Sequence, residues 1–212
     1  MTQIIQPDTP IFGPLFYGSK DKRIVEVITS ISQSLVAQLL DSPRSTMLTG
    51  YRGCGMSTIL FLCAVYRVSE SRETGSVLFI SDNERQQKHM LNTVEMISNG
   101  LPGDVDFVKV ADNAYKYENH HIHFLTQHDL LSRPFFHWLD VDIKTIVFDF
   151  SSQAVDDFKM HDWCMNVVKK DLGNKQMIFG HNIEPGMATT IFHGEMKRST
   201  CDDWNIVQIK ES

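Results

Sequence analysis

The chain has 212 residues, 42% of them hydrophobic and 22% charged. That composition belongs to a globular protein long enough to bury most of its apolar surface in one domain, and it excludes disordered, collagen-like and coiled-coil chains. Lys and Arg total 20 against 26 Asp and Glu, a net charge of −6, which argues against a protein that coats nucleic acid over most of its surface and leaves room for a local basic strip only.

Residues 1–20 scatter Pro7, Pro10, Gly13, Pro14 and Gly18 among apolar side chains. They read as an irregular arm laid on the domain by Ile11, Phe12, Leu15 and Phe16, with 21–212 as a single domain. Ile24, Val27, Ile28, Ile31, Leu35 and Leu39 recur at helical spacing until Asp41, Ser42 and Pro43 end the helix. Thr46 to Thr49 reads as a short buried strand running into glycines at 50, 53 and 55, followed by a buried helix over Ile59 to Val68. Ser76 to Ile80 is a second strand. An amphipathic helix over 83–98 follows, with Ser81 and Asp82 as expected caps. Val105 to Val110 and Asn119 to Leu125 are predicted strands, and Gln127 to Leu139 a short helix or turn region. Thr145 to Phe150, TIVFDF, is an apolar strand ending in one acid. Ala154 to Lys170 reads as a helix, Lys175 to Gly180 as a strand and Trp204 to Ile209 as the last strand.

Strands alternate with helices, and several strands are apolar throughout, as strands buried on both faces are. The expected fold is an α/β three-layer sandwich, a mostly parallel central sheet flanked by helices, with ligands bound beyond the carboxyl ends of the strands. No apolar run approaches the roughly 18 residues of a membrane span. MTQIIQPDTPIFGP lacks the basic n-region and apolar core of a secretory signal. Cys54, Cys63, Cys164 and Cys201 make no C-x-x-C pair, so reduced thiols and an intracellular, cytoplasmic setting are expected.

Two segments at strand ends carry chemistry. In TMLTGYRGCGMSTILFLCAVYRV, Gly50, Gly55 and Ser57 have the spacing G-x-x-x-x-G-x-[ST] of a P-loop. There, backbone N–H groups cradle phosphates, a lysine reaches the β- and γ-phosphates, and the hydroxyl holds Mg²⁺. Gly50, Gly53, Gly55 and Ser57 can form the anion nest, and Arg52, Met56 and Thr58 complete the candidate phosphate-binding set, but Met56 stands at the lysine position. The second segment is TIVFDF. Asp149 occupies the place of a Walker B acid that holds Mg²⁺, and Phe150 stands where many such ATPases have the glutamate that orients water.

With these residues in view, the order of elements resembles the ATPase domain of phage terminase large subunits, the DNA-packaging motors; helicase-like ATPases share the layout. The loop arginine of that family is matched by Arg52. GSVLFISDNERQQKHMLNTVEMISNGLP, NHHIHFLT and KTIVFDF resemble the family's successive segments, and Gly180, His181 and Asn182 fall near its coupling motif. The resemblance covers roughly residues 40–195. It implies ATP and Mg²⁺ as cofactors, with Ser57 and Asp149 on the metal and Arg52 reaching the γ-phosphate. No adenine-reading glutamine can be placed. All departures fall on catalytic positions, so the expected protein is a degenerate terminase-type ATPase of phage origin that acts as a binding, structural or regulatory partner of other proteins. The alternative is an active DNA-dependent packaging ATPase or helicase-like motor in which Arg52 or a lysine elsewhere supplies the missing charge.

Other candidates point less far. His120, His121, His123 and His128 crowd nine positions, and His121 and His123 share a strand face suited to a metal, without a third ligand in sight. Cys54 lies at a helix N-terminus, which lowers a thiol pKa, but no base accompanies it. Lys20, Lys22 and Arg23, Arg67 with Arg72, and Lys169, Lys170, Lys175, Lys197 and Arg198 read as solvated basic groups. DNA contact is possible but does not follow from them.

Overall fold

The computed structural model describes residues 2–3, 39, 45–50, 56–70, 75–100, 107–132, 143–150, 176–182 and 205–208. Its strands are β1 (Thr2–Gln3), β2 (Thr46–Gly50), β3 (Ser76–Ser81), β4 (Val108–Ala111), β5 (Ala114–Tyr117), β6 (His120–Thr126), β7 (Ile143–Phe150), β8 (Gln176–Asn182) and β9 (Asn205–Gln208). Its helices are α1 (Met56–Glu70), α2 (Glu84–Gly100) and α3 (Gln127–Leu131). All the strands join one sheet in the order β1-β9-β2-β8-β7-β3-β6-β5-β4.

The sheet is mixed. From β1 through β6 every pairing is parallel, whereas β5 pairs antiparallel with β6, and β4 with β5. The expected parallel arrangement thus holds through the centre and gives way to an antiparallel meander at one edge. Residues 2–3, read as part of an irregular arm, form a short parallel strand beside β9.

Side-chain alternation sorts the core into two faces. Leu48, Val77, Phe79, Ile122, Phe124, Val147, Ile178 and Val207 share one buried cluster with α1 and α2. α1 crosses β7, β3, β6 and β8, and α2 lies on β6 and β3. Ile59 through Val65 are each at most 2% exposed, so this stretch of α1 is buried on all sides, as its unbroken apolar run requires. Each such large side chain contributes about 1.5–3 kcal/mol of burial. Phe61, Phe79, Phe124 and Tyr115 form an aromatic group with centroids 5.6–6.5 Å apart. The opposite face is also buried: Leu78, Ile80, Ile146, Phe148, Met177 and Phe179 are at most 2% exposed, and Phe148 stacks on Phe179 at 4.2 Å. The helices expected at 24–39 and 154–170 lie outside the described residues, Leu39 excepted.

Arg67 is not the surface cation its sequence neighbourhood suggests. Its Nη2 donates to Gln176 Oε1, while Gln176 Nε2 donates to the carbonyl of Leu39 at 2.8 Å. The last turns of α1 are thereby tied to the start of β8. No described helix is long and apolar enough to cross a membrane.

Candidate functional site

Parallel strands bring their carboxyl ends to one edge of the sheet. There the register sets Leu48, Gly180, Asp149, Ser81 and Thr126 in a row across β2, β8, β7, β3 and β6. Alternation places this row on the α1–α2 face. β8 and β7 stand between β2 and β3, so α1 must cross two strands, and its first turn comes down over the middle of the row.

Gly50 ends β2 and is buried, and Met56, Ser57 and Thr58 open α1. Arg52, Gly53, Cys54 and Gly55 lie outside the described residues, and so does any contact between Arg52 and Asp149. Met56 is 3% exposed. Its Sδ and Cγ lie 3.0 and 3.1 Å from the point a Gly180 Cβ would occupy. The residue at the lysine position is therefore turned into the core against β8, and the missing side chain of Gly180 makes room for it.

Asp149, near the end of β7, is fully buried. Its Oδ2 accepts a hydrogen bond from Gln86 Nε2 at 2.6 Å, and the same nitrogen lies 3.3 Å from Ser57 Oγ. Gln86 thus joins the two residues that the sequence assigns to a metal. The amide orientation follows from its other end: Gln86 Oε1 accepts the N–H of Asp82 at 3.1 Å. A flipped amide would set two oxygens 2.6 Å apart at Asp149, so only one assignment fits.

Local sequence explains why Gln86 stands there. Asn83 is the N-cap of α2, its Oδ1 accepting the N–H of Gln86 at 3.0 Å, which makes Gln86 the third helical residue. The expected caps are corrected by this: Ser81 closes β3, and Asp82 supplies the backbone N–H that holds Gln86. A glutamine three places after an N-cap folds back over the helix entrance, as in a capping box. The next turn of the site is built similarly. Thr126 caps α3 in a full capping box with Asp129, Gln127 Nε2 donates to Asp82 Oδ1 at 3.2 Å, and Gln87 Nε2 donates to the carbonyl of Phe124 at 2.7 Å.

Ser57 Oγ and the Asp149 carboxylate are the oxygen pair that the sequence motifs assign to a divalent cation. The Gln86 nitrogen stands against both oxygens, where an N–H donor and a cation would compete for lone pairs. Ser81 Oγ is buried on the same face beside Asp149 and has no hydrogen-bond partner among the described residues.

The histidine cluster is separate. His121 and His123 share the other face of β6, with rings 5.8 Å apart, and Lys116 of β5 pairs in register with His121. Burial, then the charges of Lys116 and His120, lowers the His121 pKa. No group of three His, Cys, Asp or Glu able to hold a metal occurs among the described residues. Cys63 is buried inside α1, and burial raises its thiol pKa far above the ordinary range, which makes it inert.

No protein-family model matches the chain, and no curated protein matches it. Solved structures do. A variant of the S. cerevisiae helicase Dbp5 bound to a Gle1 variant and IP6 matches 85% of this chain with a TM-score of 0.57 at 16% identity. The same protein bound to Nup159, a Gle1 variant, IP6 and ADP matches 85% with a TM-score of 0.58 at 15% identity. The chain spans about half the length of these neighbours, 46% and 48%. At such identity the likeness concerns the fold alone: this chain has the α/β fold of helicase-like ATPase domains.

Proposed function

We propose that the chain is a degenerate ATPase-fold protein, of the terminase-type pattern that its sequence resembles, which acts by binding partner proteins rather than by hydrolysing ATP. The observation that carries this reading is the burial of Met56 against β8. A phosphate over the loop meets no ammonium from that position, which removes a charge-assisted contact of about 1.5–3 kcal/mol and the transition-state stabilisation that goes with it. Phe150 after Asp149 supplies no carboxylate to orient water. In this reading residues 21–212 form one domain, the loop 50–58 is an anion nest without its point charge, and the setting is the cytoplasm of a phage-infected host.

The nearness of Ser57 and Asp149, joined through Gln86, favours one alternative: a DNA-dependent ATPase in which Arg52 takes over the lysine's charge. A steady-state ATPase assay with Mg²⁺, with and without DNA, separates the two. No turnover above the protein-free rate is expected. Turnover that disappears in Asp149→Ala would overturn the binding reading.

A further inference from the structure

We propose that the side-chain amide of Gln86 is the resident substitute for a divalent cation at this centre, holding Ser57 and Asp149 together without metal. The inference rests on reading Gly50–Ser57 as a P-loop derivative, and it names a residue that loop and strand motifs do not include.

The geometry supports substitution over incidental contact. A cation held through water sets a donor oxygen against the Walker B carboxylate at hydrogen-bonding distance. Gln86 Nε2 stands 2.6 Å from Asp149 Oδ2 and 3.3 Å from Ser57 Oγ, so one nitrogen serves both ligands. The nitrogen is fixed from behind. Asn83 anchors the Gln86 backbone, and the Asp82 N–H holds its Oε1. An amide pinned in this way presents its N–H dipole to a buried carboxylate at little entropic cost.

Ser81 supplies a second, independent observation. Its hydroxyl is fully buried beside Asp149 in the same row and has no partner among the described residues. The amide spans Ser57 and Asp149 but leaves this oxygen unused. A metal ion takes several oxygens at once, whereas an NH₂ group has two hydrogens to give. A neutral amide filling a place suited to more donors leaves one oxygen over.

Removal of the amide should therefore open a cation site made of Ser57 Oγ, the Asp149 carboxylate and Ser81 Oγ. The test uses no nucleotide: thermal melts with and without millimolar Mg²⁺, and calorimetry with Mn²⁺ alone. Wild-type protein is expected to melt at the same temperature in both buffers and to give no Mn²⁺ heat. Gln86→Glu, which keeps the length and adds a second carboxylate, is expected to gain about 5 °C in Mg²⁺. Gln86→Ala should gain less, and Gln86→Glu combined with Asp149→Asn should lose the gain. A variant that folds only in Mg²⁺ counts as the expected gain. The proposal is overturned if the wild type gains as much as Gln86→Glu, or if both single variants gain nothing, folded or unfolded. ATP turnover by the wild type would overturn the proposed function, whereas the melts, which contain no nucleotide, test the amide separately.

Discussion

Replacing Gln86 with leucine is expected to lower the stability of the protein by about 2–4 kcal/mol, because the hydrogen bonds lost include one to a fully buried side chain. Leucine preserves the bulk of the side chain and removes every polar contact. Asp149, fully buried, loses its 2.6 Å donor, and the Asp82 N–H loses its acceptor. For a chain of this size the melting temperature should fall by about 5–15 °C. Lys88→Leu, two residues further on and exposed, should change stability by no more than about 0.5 kcal/mol. Equal effects from the two substitutions would mean that the Gln86 contacts carry no weight.

Gly180→Ala is expected to cost about 1–3 kcal/mol through overpacking. The added Cβ would overlap Leu60 Cδ1 and lie 3.0 Å from Met56 Sδ. Both neighbours belong to the buried start of α1, and β8 is clamped between β2 and β7, so neither side can retreat freely. Leu60→Ala empties the space from the other direction and should cost about 2–5 kcal/mol alone. The double variant should cost less than the sum of the two, because the new methyl enters the vacated volume. Chemical denaturation of the four proteins reads this directly. Strict additivity would show that Gly180 does not pack under α1.

The sequence makes the centre of the fold legible for a physical reason. Strands buried on both faces must be apolar throughout, and VLFI and TIVF announce β3 and β7, while the 59–68 run announces α1. The antiparallel edge carries no such signal. Val105 to Val110 reads as one alternating strand, yet β4 begins at Val108, and β5 follows after a turn at Asp112–Asn113. The short AYKY segment is too mixed to register as a strand without its neighbour β6.

The site divides in the same way. Gly50, Met56, Ser57 and Asp149 are visible because loop and strand motifs are local in sequence. Gln86 is visible only as a helix-entry residue, three places after Asn83. Its bond to Asp149 spans 63 residues and depends on β3 lying beside β7, an adjacency that hydrophobic periodicity does not encode. The direction of Met56 is equally hidden, since it is set by the absence of a side chain at Gly180 on a strand remote in the chain.

On the proposed reading, a buried methionine and a resident amide stand in for the two cations of a nucleotide site. Each lost charge-assisted contact is worth about 1.5–3 kcal/mol, so together they should weaken ATP–Mg²⁺ binding about 10²- to 10⁴-fold relative to an intact P-loop. Calorimetric titration of the wild-type protein with ATP in Mg²⁺ measures this most directly. No heat of binding is expected at micromolar ATP. A dissociation constant in the micromolar range or tighter would contradict it.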